Sequence, residues 1–99
     1  SVTNIFHDIL IYHMNINDLT AIIKKRLQED FVIESINIED KSFLHENHKG
    51  NQEGKYHLKL NIKSNQLRKI DKIASNRKIY KSLEGELKNY IHSIQILIT

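Results

Sequence analysis

Tyr56-His57-Leu58-Lys59-Leu60-Asn61-Ile62-Lys63 alternates without a break, with Leu58, Leu60 and Ile62 on one side and His57, Lys59, Asn61 and Lys63 on the other. A period of two with one apolar side is the pattern of a strand half buried in a sheet. Upstream, Val32 to Glu39 repeats it, Ile36 and Ile38 opposing Asn37 and Glu39, so two antiparallel strands are expected, each with one face on the core. The connection between them, residues 40–55, contains His45, His48, Gly50 and Gly54. Connections of that length in a small domain are usually functional or mobile.

Working outward, the period changes from two to 3.6. Leu19, Ile22, Ile23 and Leu27 recur at helical spacing with Lys24, Lys25, Arg26 and Glu29 between them, which predicts an amphipathic helix capped at Asn17 and ending near Asp30. After the Tyr56 strand, Ser64 caps a short helix with Leu67, Ile70 and Ile73 expected on its inner face. A break is expected near Ala74-Ser75, and Asn76 then caps a longer helix. Its Ile79, Leu83, Leu87 and Ile91 are spaced by four, widened by Tyr80 and Tyr90. Ser93-Ile94-Gln95-Ile96-Leu97-Ile98 is too β-branched and too short for anything but a final strand. The expected order is α-β-β-α-α-β, an α+β domain with a three-stranded sheet packed against helices. It runs over residues 17–99, with residues 1–16 expected as a disordered extension.

Ninety-nine residues make one domain with room for one core, so an active cleft would be shallow or completed by a partner. The excess of 15 Lys and Arg over 12 Asp and Glu leaves a net charge of only +3, which permits nucleic-acid binding without indicating it. With no cysteine in the chain, a disulfide framework and a thiol nucleophile are excluded. No apolar run approaches the roughly 20 residues of a membrane span. Residues 1–13 have an apolar middle but no basic start and no small-residue cleavage site, and so make a poor signal peptide. Secretion is therefore not expected, and cytoplasm, nucleus and mitochondrion stay open.

The residues that could carry chemistry are few. Neutral imidazole is the natural ligand for borderline metals such as zinc and iron, and no thiolate competes for that role here. His45 and His48 lie in the long loop, where a solvated polar segment is the plain alternative. His57 is expected on the outward strand face, as a surface residue rather than a ligand. His92 falls where the last helix hands over to the last strand, and an imidazole there can also interact with the helix C-terminus. A closed zinc site wants four ligands and a catalytic one three, so a metal site on this chain would be half a site, completed by another molecule. The basic residues Lys63, Arg68, Lys69, Lys72, Arg77, Lys78 and Lys81 include a single acid, Asp71, among them. They form either a solvated helix face or a phosphate-binding surface, without a Gly-x-x-Gly loop or an aromatic stacking platform. Nothing in the chain has the form of a Ser-His-Asp constellation or a glycine-rich phosphate loop.

Asp40-Lys41-Ser42-Phe43-Leu44-His45, Tyr56-His57-Leu58, Ser64 followed twelve residues later by Asn76-Arg77-Lys78-Ile79-Tyr80, and Ile91-His92-Ser93 together resemble the BolA family from about Asn17 to Thr99. The resemblance implies a fold similar to the class II KH arrangement and a non-enzymatic role. It also implies partnership with monothiol glutaredoxins, in which a bridging [2Fe-2S] cluster is held by glutaredoxin cysteine and glutathione on one side and two BolA residues on the other. The family's ligands match His92 and a residue of the loop between the first two strands, best matched by His45, with His48 and His57 as lesser alternatives. Two imidazoles on one iron resemble the Rieske arrangement, which raises the reduction potential relative to all-thiolate ligation. The alternative implied by the family is a KH-like nucleic-acid-binding transcriptional regulator using the basic residues named above. Where the family pattern has Arg-His-Arg this chain has Ser75-Asn76-Arg77, and where it has a glycine this chain has Lys69, which moves the weight of the reading toward iron-sulfur chemistry. Whether the chain forms homodimers is open.

Overall fold

The computed structural model describes residues 14–42 and 55–99. Helix α1 (Ile16–Asp30) buries Leu19, Ile23 and Leu27, the stripe that the sequence periodicity predicts. Its cap is Asn15 rather than Asn17: the Asn15 side chain accepts the Asp18 N–H at 2.8 Å, so the helix begins a turn-half earlier and Asn17 lies within its first turn. Met14 and Ile16 pack against the core, which brings the last part of the expected 1–16 extension into the folded domain; residues 1–13 lie outside the described residues.

Strands β1 (Ser35–Asp40) and β2 (Tyr56–Lys63) pair antiparallel, Ile36 opposite Ile62 and Ile38 opposite Leu60. Val32, expected at the start of β1, is instead 67% exposed in the connection. Leu58, Leu60 and Ile62 are buried as the alternation requires. Strand β3 (Ile91–Ile98) lies parallel to the other side of β2, giving the order β1-β2-β3. Two parallel neighbours cannot be joined by a tight turn, and the crossover is made by α2 (Asn65–Arg68), α3 (Lys72–Ser82) and α4 (Glu84–Asn89). The core joins the α1 stripe, the inner side of β2, Leu67, Ile79, Leu83 and Ile91.

The crossover departs from expectation at its punctuation. Ser64 does cap α2, accepting the Leu67 N–H at 3.1 Å. The break, however, falls before Lys72 rather than at Ala74-Ser75, because Asp71 takes the extended cap conformation and accepts the Ala74 N–H at 2.9 Å. Asn76 is thus inside α3. Starting a new helix at Lys72 rotates the stripe: Ser75 and Ile79 face the core, while Ile70 and Ile73 are 37% and 66% exposed rather than inward. A second break at Leu83, with φ −100° and ψ 17°, divides the expected long helix. Ile91 still points into the core, but from β3, which starts two residues before Ser93.

A histidine pair on a strand bulge

The register between β2 and β3 slips at one point. Tyr56 pairs with Ile91 and the next residue, His57, pairs with Ser93, so one step along β2 matches two along β3 and His92 is the extra residue. A bulge of this kind bends the strand and re-aims a side chain. Its effect is visible in the burial: Ile91 is buried, Ile94, Ile96 and Ile98 are half-buried, and His92 and Ser93 are both exposed. The inward face thus resumes three residues after Ile91 instead of two, and His92 is left exposed at the bulge, where α4 ends and β3 begins.

His57 meets it there. Alternation puts His57 on the polar side of β2, as expected, but it is not a surface residue: it is only 5% exposed. Three contacts explain this. Its carbonyl accepts the Lys41 N–H at 2.7 Å, its N–H donates to Ser42 Oγ at 3.1 Å, and its Nδ1 is hydrogen-bonded to Ser93 Oγ at 2.7 Å. The His57 and His92 rings lie 4.8 Å apart between centroids, edge to face at 65°, within the range of favourable aromatic pairs. Ser42 itself is held by its N–H to Asp40 Oδ1 at 2.9 Å, so the chain leaves β1 for the long loop directly beside the pair. His45 and His48 lie outside the described residues.

Around the pair the sheet surface is polar. Glu39 accepts from Asn61 Nδ2 at 2.7 Å and is ion-paired with Lys41 at 3.3 Å; the Asn61 hydrogen bond first, and Lys41 second, hold its carboxyl below the ordinary carboxylate range. Tyr56 donates its phenol to the Met14 carbonyl at 2.7 Å, tying the start of α1 to the start of β2. Burial, reinforced by Asp40, pushes that phenol above its ordinary value.

Among the described residues no three His, Cys, Asp or Glu side chains gather closely enough to hold a metal ion. The pair can contribute one exposed imidazole and one buried one, and a closed site needs more. The pairing of His57 with His92 is what sequence reasoning missed. Its signal was present: Ile91 and Ile94 are three apart where Ile94, Ile96 and Ile98 are two apart, which marks a bulge at His92-Ser93.

The basic residues do not form one surface. All seven are exposed and none is ion-paired among the described residues. Arg68 and Lys72 line a groove of about 280 Å³ between the helices and the end of β3, whereas Lys78 and Lys81 line another with Asp30 and Phe31, at the end of α1.

The description "BolA-like protein" belongs to the family model that matches residues 27–99, from the last turn of α1 through β3. A DNA-binding transcriptional regulator BolA of Haemophilus influenzae is 31% identical over 78 residues, which cover 79% of this chain and 73% of the relative. Among solved structures, BolA1 from Arabidopsis thaliana superimposes with a TM-score of 0.67 at 24% identity, covering 80% of this chain and 87% of that one. The BolA domain of SufE1 from the same plant gives 0.64 at 27% identity, covering 78% and 85%. With the α+β architecture, the mixed three-stranded sheet and a family match that runs from α1 to the last residue, this chain belongs to the BolA family.

Proposed function

We propose that the protein is a non-enzymatic adaptor in iron-sulfur cluster assembly, trafficking or iron regulation, which binds a monothiol glutaredoxin and shares a bridging [2Fe-2S] cluster with it. His92 is one iron ligand from this chain and a histidine of the loop between β1 and β2, His45, is the other, with glutathione and a cysteine thiolate supplied from the partner side. The observation that carries this reading is the exposed imidazole of His92, the extra residue of a strand bulge, in a chain that has no cysteine. An exposed imidazole with too few neighbours for a closed site is what a shared metal group requires. The loop bearing His45 starts at Ser42, which is bonded to His57 beside the pair. By its name, the solved BolA domain of SufE1 is this fold as one domain of another protein.

When bound, the cluster supplies a labile, redox-active iron centre. The residues of this chain have simpler tasks: His92 presents a neutral imidazole, and the polar sheet surface around Lys41 and Glu39 offers the partner paired charges rather than an apolar patch. Reconstituting the protein with a monothiol glutaredoxin, glutathione, iron and sulfide should give a one-to-one complex on size exclusion that carries iron and sulfide. Elution of the two proteins apart, with all the iron on the glutaredoxin, would contradict the proposal.

A second reading has one observation of its own, the set of exposed basic residues from Lys63 to Lys81, none of them ion-paired among the described residues. On that reading the chain is a KH-like nucleic-acid-binding regulator, in keeping with what the Haemophilus relative's name says of that protein. Its mark is an affinity for duplex DNA that falls steeply with salt, about one power of the salt concentration per phosphate contacted. Binding that is undetectable at 50 mM salt removes it.

A further inference from the structure

We infer that His57 is a positioning residue for His92: it holds the exposed imidazole in one orientation before any ligand arrives. The inference rests on the reading of His92 as an iron ligand for its purpose, though not for its geometry.

A side chain at an exposed position has fewer neighbours than a core residue to select its rotamer, and freezing such a side chain on binding lowers affinity. His92 is exposed, yet one ring stands against it. That ring, His57, is itself immobilised at both ends. Its backbone is bonded through Lys41 N–H and Ser42 Oγ to the end of β1. Its Nδ1 is bonded to Ser93 Oγ, the residue that follows His92 on the bulged strand. The result is a closed arrangement: β3 carries His92, Ser93 on the same strand grips His57, and the edge-to-face contact at 4.8 Å returns the constraint to His92. His57 is the buried side chain on the outward side of the central strand, where Lys59 and Asn61 are only half buried, and its ring lies against His92. Preorganising a ligand in this way is what outer partners do for metal-binding histidines, orienting them ahead of the metal.

The test is read first on the isolated chain. The χ1 couplings and ring-proton shifts of His92 in solution should report a single rotamer in the native protein. Ser93→Ala, at an exposed position that leaves the core untouched, removes the Nδ1 anchor and should broaden the rotamer distribution. His57→Ala should average it fully, and His57→Phe, which restores a ring edge, should recover most of the single-rotamer signal. A merely structural role for His57 would not be rescued by a ring. In the mixed complex with a monothiol glutaredoxin and glutathione, the same Ser93 and His57 alanine variants should keep the histidine-dependent cluster spectrum while losing cluster about two- to tenfold faster, the range expected for freeing one side chain. Rotamer averaging in the native protein, or couplings unchanged in both alanine variants, would overturn the inference. Because the rotamer measurement needs no iron, a failure of His92 as ligand appears separately, as a cluster spectrum indifferent to His92→Ala.

Discussion

At the scale of single residues, small polar groups fix the corners that apolar periodicity leaves open. Ser64 is fully buried and used twice: its hydroxyl donates to the Val32 carbonyl at 2.7 Å and accepts the Leu67 N–H at 3.1 Å, joining the connection before β1 to the first turn of α2. Ser64→Ala removes a cap and a cross-element bond together and should destabilise the fold by about 1–2 kcal/mol in chemical denaturation. Glu39 gives a pH-dependent counterpart. Its carboxyl is held below the ordinary value of 4.5, first by Asn61 and then by Lys41, so its contribution to stability is complete above that value and is lost as pH falls through the lower folded-state value. Asn61→Ala should move the Glu39 carboxyl carbon titration, followed by NMR, back up toward the ordinary range. A titration left in place would contradict the assigned cause.

At the scale of elements, the strands were legible and the helix breaks were not, for a physical reason. A period of two in β2 admits only one inward face, and Leu58, Leu60 and Ile62 take it. In the crossover, several residues can cap a helix equally well by type, and Asp71, Ser75 and Asn76 all qualify locally. Tertiary packing chose Asp71, because a helix starting at Lys72 turns Ser75 and Ile79 inward. The bulge was legible in the spacing of Ile91, Ile94 and Ile96, but what it achieves, the meeting of His92 with His57, depends on which strand lies alongside, and the parallel β2–β3 pairing is a property of the whole crossover. The α1–α4 contact was not legible at all. It rests on Arg26, which donates through Nε to Glu86 Oε1, while Glu86 is buried and its second oxygen, Oε2, has no hydrogen-bond partner among the described residues. Arg26→Ala would leave a buried carboxylate without its cation. With the Arg26 side chain 55% exposed, the loss should be about 2 kcal/mol, below that for a fully buried pair. Thermal melts of Arg26→Ala, Glu86→Gln and the double variant should show strong coupling between the two sites, and additive effects would rule out the pair as the tie between α1 and α4.

At the scale of the molecule, the sheet divides the protein into two unlike sides. One is covered by helices and closes the core. The other carries the polar ends of β1, β2 and β3, with the histidine pair at the corner where β1 leaves for the loop and β3 begins. Among the described residues this corner carries one exposed imidazole, His92, and no closed metal site. Basic residues of the helices line two separate grooves, Arg68 and Lys72 in one and Lys78 and Lys81 in the other, so the two readings of function use different residues and can be separated by mutation. The central claim is that His92 binds iron shared with a partner. Visible absorption and circular dichroism of the native chain and of His92→Ala, each mixed with a monothiol glutaredoxin, glutathione, iron and sulfide, test it most directly. The native mixture should give a spectrum distinct from that of the glutaredoxin alone, and His92→Ala, folded by far-ultraviolet circular dichroism, should return it to the glutaredoxin spectrum. An identical spectrum from native and variant mixtures would contradict the account.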